Sequence, residues 1–488
     1  MDSLKRNISH DFLASLVVFL VALPLCLGIA LASGVPPIVG LLAGIIGGLV
    51  VGPLTGSPLQ VSGPAAGLAV MVYEVVNVHG LEALAIVCLI AGVTQVIGFF
   101  FKTGIYFKAV SPAVVKGMLS GIGLLIFASQ FHVMLDHAPK STGTMNLITI
   151  PQAIIDIFAD DFPIQHIQAA VIGIITLFIL GSWSYMRDKI KLPIPAPLVA
   201  VVVVSLIANM SGLSINFIEL PDNLLQGMNF LSFNSLSTIN LDIVLAGIGM
   251  ALVATTETLL CVTAVDTMKP DHKSDYNKEL FAQGVGNSVA GIIGAMPITG
   301  VIVRSSANVE FGGRTKASTI MHGLWLVLFL FFFSELLSYI PTSALAAVLV
   351  YTGYRLFDIK ALKKFSEFGK FEVFIYVATI FCIVTINLLY GVIIGYILAL
   401  LQLIIKLNQL EFETSKSKTE VTVNFKGAMT FLSLPKVSEH FNNLLDDHSG
   451  DVIVDTTDIK FMDSASHEFL GQLSKNNGDR VKLSKNDT

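Results

Sequence analysis

Residues 294–313 read GAMPITGVIVRSSANVEFGG and set Pro297, flanked by Gly294 and Gly300, and Arg304 inside an otherwise strongly apolar part of the chain. Residues 60–67, QVSGPAAG, repeat the motif of Pro and Gly ahead of a hydrophobic run. Each run is only about ten to fourteen residues, too short to cross a bilayer as a helix. Non-helical backbone at membrane depth is tolerated only where it is buried in protein or lines a cavity. A helix that begins there offers free N–H groups and partial positive charge. Two such starts, with Arg304 in the first turn of the second, have the chemistry of an anion site.

The other intramembrane charge is Glu257, in ALVATTETLLCVTAVD (residues 251–266). A carboxylate there is either protonated or paired with a cation, and a group that can do both suits a coupling ion. Each of these features also has a structural alternative. The Gly and Pro could simply kink packed helices, Arg304 could snorkel to the inner surface, and Glu257 could be bonded to Thr or backbone groups. Asp11 and Asp266 sit nearer the inner face, as solvated or capping groups.

The elements that must position these residues are membrane helices. Of 488 residues, 53% are hydrophobic and 13% charged, and the mean hydropathy is +0.75, far from the composition of a soluble domain. Fourteen candidate spans follow from the apolar runs: 12–32, 36–53, 64–77, 82–101, 112–132, 168–185, 194–210, 241–264, 278–294, 300–309, 317–335, 338–354, 371–389 and 390–406. The first does not read as a removable signal peptide.

With the N-terminus (Lys5, Arg6) cytoplasmic, the inner loops receive Lys102 and Lys108; Arg187, Lys189 and Lys191; Lys269, Lys273 and Lys278; Arg314 and Lys316; and the run Arg355 to Lys370. Lys140 alone falls outside, and the connection from Ser211 to Asp242 holds no Lys or Arg. This is the positive-inside pattern of an even number of crossings, with both termini cytoplasmic in a cell (inner) membrane.

The interrupted segments are the third span of each set of seven. An odd number of spans per half inverts the second copy, and paired short segments in inverted halves point to a midplane transport site. Cys26, Cys88, Cys261 and Cys382 read as small apolar filler. No HExxH, serine elbow or phosphate loop is present, so an enzyme, a metal site and a cofactor are not expected. Nor is a nucleic-acid partner.

The stretches ALPLCLGIALASG (22–34), GSPLQVSGPAAG (56–67), ATTETLLCVTAVDTM (254–268), NKELFAQGVGN (277–287) and 294–318 resemble, in order and spacing, the sulfate permease (SulP) family of anion transporters. The resemblance implies a seven-plus-seven inverted repeat, with a core domain (spans one to four and eight to eleven) moving against a gate domain (five to seven and twelve to fourteen). It also implies a homodimer. The anion would sit between the third and tenth spans, with Ser62, Gly63, Pro64 and Ala65 before one half-helix, Thr299, Gly300 and Val301 before the other, and Arg304 as the basic residue. Pro24 matches the family's first-span Pro, but Leu25 stands where a Gln often follows.

Sodium-driven bicarbonate members carry Asp at the place of Glu257 and Thr at the places of Cys261 and Ile302. Two hydroxyl oxygens that sodium would favour are missing here, so the resemblance points to Glu257 as a proton carrier. Residues 411–488 resemble a STAS domain, a small cytoplasmic α/β unit after the transmembrane domain of 1–410. Its DSAS loop (Asp463 to Ser466) matches the loop whose Ser, here Ser464, can be phosphorylated in bacterial regulators; packing or docking is the role expected here. Its short polar end is expected to lack the last strand and helix.

The expected function is secondary active transport of a small oxyanion, sulfate or bicarbonate, coupled to protons through Glu257. Bicarbonate is slightly favoured, with a link to carbonic anhydrase. Alternatives are a sodium-coupled bicarbonate symporter or exchanger, a nucleobase permease of the same fold, and an anion channel.

Overall fold

The computed structural model describes residues 2–105, 111–140, 142–157, 163–190, 194–219, 230–232, 239–271, 273–408, 410–417, 420–448 and 450–484. Lys108, Lys191, most of the Ser211 to Asp242 connection, and the side chains of Lys5, Arg6, Arg187 and Lys189 lie outside this description. Two compact units divide at Gly395/Tyr396.

The first unit is helical. It runs α1 (Asp2–Ala32), α2 (Pro37–Ile46, continued by a π-turn at Gly47–Val51), α3 (Gly52–Leu54), β1 (Ser62–Pro64), α4 (Ala66–His79) and α5 (Leu81–Phe100). Then come α6 (Pro112–Met134), α7 (Gly143–Ile148), α8 (Ile150–Asp156), α9 (Ile164–Ile190) and α10 (Ala196–Met210). The second half has α11 (Leu241–Met268), α12 (Tyr276–Ile293), β2 (Ile298–Gly300), α13 (Ile302–Glu310), α14 (Lys316–Phe332), α15 (Thr342–Leu356), α16 (Ile359–Phe368), α17 (Lys370–Thr385) and α18 (Leu388–Leu407).

A helix lies in every expected span. Among the described residues, seven stretches are long and apolar enough to cross a membrane: α1, α2 through Leu54, α5, α6, α9, α11 and α18. The apolar α4, α10 and α14 are shorter. The sequence pattern does not single out α7, α8 or the amphipathic α16.

The helices pack as two groups. The core joins α1, α2, α5, α11, α12 and α14, and the gate joins α6, α9, α10, α15 and α17. Small residues let the core helices touch through their backbones: a Cβ on Gly48 of α2's continuation would come 2.5 Å from Gly323 Cα of α14. The gate buries Met134, Leu135, Ala170 and Ala346 between α6, α9 and α15.

The second unit holds the end of α18 and a four-stranded sheet of β3 (Leu410–Lys416), β4 (Glu420–Met429), β5 (Asp451–Met462) and β6 (Val481–Ser484), in that order. The β3/β4 pair is antiparallel, the other two parallel. Alternate residues Val421, Val423 and Phe425 face a core shared with Val437 and Phe441 of α19 (Leu434–Asp447) and Leu470 of α20 (Ser464–Asn477). After α20 the chain adds the short edge strand β6 beside β5.

Candidate anion site

The two chain breaks meet. Gly63 and Met296 each precede a proline, which disfavours helix and holds the backbone extended. The extended pieces pair antiparallel, Ser62 opposite Gly300, Gly63 opposite Thr299 and Pro64 opposite Ile298. Val301 N–H donates to the Val61 carbonyl at 2.9 Å and extends the ladder. From this crossing α4 and α13 set out in opposite directions. Their N-cap residues, Ala65 and Val301, are extended and provide no side-chain cap, so the N–H groups at each helix start are left to partners other than a cap.

Arg304 is fully buried. Its side chain does not snorkel. Nη2 lies 3.4 Å from both Cys26 Sγ and the Pro64 carbonyl, while Nε and Nη1 have no hydrogen-bond partner among the described residues. A Cβ on Gly63 would overlap Nη1. The cation of the second half therefore rests on the chain break of the first, and Cys26 is its partner rather than mere filler. The buried His322 of α14 is within electrostatic reach of the same guanidinium.

Glu257 projects from α11 to the start of α4, where it accepts the Gly67 N–H. A Cβ on Gly67 would come 2.7 Å from Oε2, and Oε2 has no hydrogen-bond partner among the described residues. A carboxylate thus occupies the positive end of one half-helix, the place where an anion would bind. The next residue, Thr258, accepts the Gly300 N–H at 3.1 Å. Cys261 Sγ lies 3.2 Å from Ser305 Oγ, which accepts the Val61 N–H at 2.9 Å.

The crossing is held from below by one face of α12, where Glu279, Gln283 and Asn287 recur every fourth residue. Glu279 accepts from the Gly56 and Ser57 amides at 2.8 and 3.2 Å, from Gln60 and Gln283 at 3.0 and 2.9 Å, and from the Thr55 hydroxyl. Gln283 donates to Ser62 Oγ at 2.6 Å. Asn287 bonds both the N–H and C=O of Ile298, at 2.6 and 3.0 Å, and donates to Gln95 at 2.8 Å. These three residues do not stand out in the sequence as a set, although their four-residue spacing is the available signal.

Of the residues expected at the site, Ser62, Gly63, Pro64, Ala65, Thr299, Gly300, Val301 and Arg304 come together at the crossing, with Glu257 one turn away. Pro24 lines a separate apolar cavity with Leu198 and Val201 of α10. Its neighbour Leu25 instead borders a cavity of about 440 Å³ between core and gate, with Ile302, Val303 and Ser306 of α13 facing Tyr351 and Arg355 of α15. This cavity reaches the start of α13.

Two membrane-depth chain breaks that cross antiparallel, each opening an uncapped helix and sharing a buried arginine, define a multi-pass membrane transport protein. The chain belongs to the sulfate permease family, whose profile matches residues 8–379. It is an inorganic anion transporter, not an enzyme. YvdB of Bacillus subtilis, provisionally named a sulfate transporter, is 28% identical over 404 residues, 81% of this chain and 73% of its own. The bicarbonate transporter BicA of a Picosynechococcus strain is 25% identical over 434 residues, 86% and 74% of the two chains. In fold, the chain is similar to the BicA transmembrane domain from a cyanobacterium (TM-score 0.67, 23% identity, 81% of this chain and 97% of that one). It is also similar to the overall structure of SLC26A9 (TM-score 0.79, 17% identity, 98% and 84%).

Proposed function

We propose that this protein is a secondary active carrier of a small inorganic oxyanion, sulfate or bicarbonate, bound at the facing N-termini of α4 and α13 and driven by protons through Glu257. The observation that carries the reading is Arg304: a buried guanidinium with two nitrogens that lack a partner among the described residues, lying against Gly63 where both uncapped helices begin. A buried cation without a carboxylate beside it is strongly disfavoured unless an anion completes it.

Coupling follows from competition for one place. The ionised carboxylate of Glu257 holds the Gly67 N–H and repels a second anion at the end of α4. A protonated Glu257 no longer opposes an anion there, so proton and anion bind together. Rocking of the core against the gate then carries both across. The absence of hydroxyls at Cys261 and Ile302 supports protons over sodium, and the arginine supports an anion over a nucleobase. We place the protein in the cell membrane as a homodimer with both termini cytoplasmic.

The test is uptake by purified protein in liposomes, with an imposed pH gradient, labelled sulfate and bicarbonate offered separately, and sodium present or absent. An acidic exterior is expected to drive accumulation of one anion without sodium, and Arg304→Ala to abolish it while the protein stays folded. A strict sodium requirement would overturn the proton reading. Unchanged uptake by the Arg304 variant would remove the anion site.

A further inference from the structure

The basic helix α16 has a role that anion binding at the crossing does not use. Its Asp358 N-cap accepts the Ala361 N–H at 3.2 Å and pairs with Lys116 of α6 at 3.1 Å. Ala361 and Phe365, one turn apart, are buried, and the Phe365 ring packs on Tyr376 of α17 with centroids 5.5 Å apart. That anchored face leaves Lys360, Lys363 and Lys364 exposed. Gly369, at φ +120°, then turns the chain sharply into α17, which begins at the exposed Lys370.

The next helix fixes the level of these lysines. On α17, Phe371, Phe374, Val377 and Phe381 are exposed at spacings of three or four residues, one apolar stripe along a helix of a membrane protein. The stripe continues around the corner to Phe368, 64% exposed. Lys360, Lys363, Lys364 and Lys370 therefore stand where a hydrocarbon-facing surface ends. Their stems can lie along it while the ammonium groups reach outward. Nearby acids offset them only in part, since Asp358 is taken by Lys116 and the other two are Glu367 and Glu372.

We propose that α16 is a binding surface for the headgroups of anionic phospholipids, with Phe368 dipping into the acyl layer and the four lysines holding the phosphates. Clustered basic residues beside an apolar edge at this depth gain attraction from an anionic leaflet that a neutral one does not supply. This inference rests on the membrane fold alone, so it stands or falls separately from the anion site.

The experiment uses full-length protein, reconstituted in vesicles of phosphatidylcholine with or without phosphatidylglycerol, then extracted mildly and weighed by native mass spectrometry. Wild type is expected to retain phosphatidylglycerol over phosphatidylcholine, with the preference weakened by high salt. Replacing all four lysines by glutamine (K360Q/K363Q/K364Q/K370Q) should remove the preference, each lysine contributing up to about fivefold at low salt. The matching arginine variant, which keeps the charge, should preserve it. Equal retention of the two lipids by wild type, an undiminished preference in the glutamine variant, or its loss in the arginine variant would each overturn the proposal.

Discussion

Gly63 and Arg304 are in such close contact that a Cβ on the glycine would overlap the arginine's Nη1. They belong to opposite halves of the membrane unit, 241 positions apart, so the basic group of one half is seated on the backbone of the other. The antiparallel register of Ser62–Pro64 with Ile298–Gly300 makes that seating possible. A shift of either break would move the arginine relative to both helix ends.

Gly63→Ala should therefore displace the guanidinium without removing it. Anion uptake in liposomes is expected to fall about tenfold or more, an energy of about 1.4 kcal/mol, chiefly as weaker apparent affinity. Gly181→Ala, at a helical glycine with open space around its Cα, is the control and should transport normally. Equal uptake by the two variants would show that the close approach is not used.

Asn287 gives a prediction about stability rather than transport. It satisfies both backbone groups of Ile298 inside the core. Asn287→Ala strands them, along with the Gln95 oxygen it donates to. Stranding a buried polar group costs about 1–3 kcal/mol, so the melting temperature of the detergent-solubilised protein should drop clearly. An unchanged melting temperature would mean that water replaces the amide.

Much of this arrangement was legible in the sequence, and the reason is specific. A Pro beside Gly in a short apolar run, or a charge such as Arg304 or Glu257 within one, stands out because lipid makes each of them costly. The partners did not stand out. Glu279, Gln283 and Asn287 fall within the 277–287 stretch that carries the family resemblance, but no role attaches to them in the sequence, since their partners lie at Thr55–Ser62 and Ile298, and periodicity reports a helix face without naming what it meets. Cys26 read as filler for the same reason: only the fold brings it to Arg304. The amphipathic α16 was hidden in a Lys-rich loop whose charges were counted for orientation alone.

In the C-terminal unit, the carboxylate of Asp463 accepts the Phe431 and Ser466 amides at 2.7 and 2.8 Å, capping α20. Those two backbone donors hold its carboxyl below the usual aspartate range. A depressed carboxyl contributes stability above its unfolded range and loses it as pH falls through its folded one. The cap should thus be intact at neutral pH and weaken in acid, below about pH 3.9. Hydrogen exchange at residues 430–434 and 464–468 of the full-length protein, corrected for intrinsic rates, is expected to speed up in Asp463→Ala at neutral pH. In acid, wild type and variant should converge. Equal protection at neutral pH would show that α20 does not depend on this cap, or on the DSAS turn that also presents Ser464.

The last prediction concerns Glu257, where a single atom change separates binding from coupling. Glu257→Gln keeps an oxygen for the Gly67 N–H but has no charge at any pH, so it imitates the protonated carboxyl permanently. The end of α4 is then always free of a competing anion, while the Arg304 seat is untouched. Anion exchange between equal pools should continue, because exchange needs only the site and the moving core. Accumulation driven by an imposed pH gradient should vanish, because no proton has to bind before the anion does. Loss of both activities would make the carboxylate part of the anion site itself. Gradient-driven uptake that survived would move proton coupling to another group, with the buried His322 beside Arg304 the next residue to change.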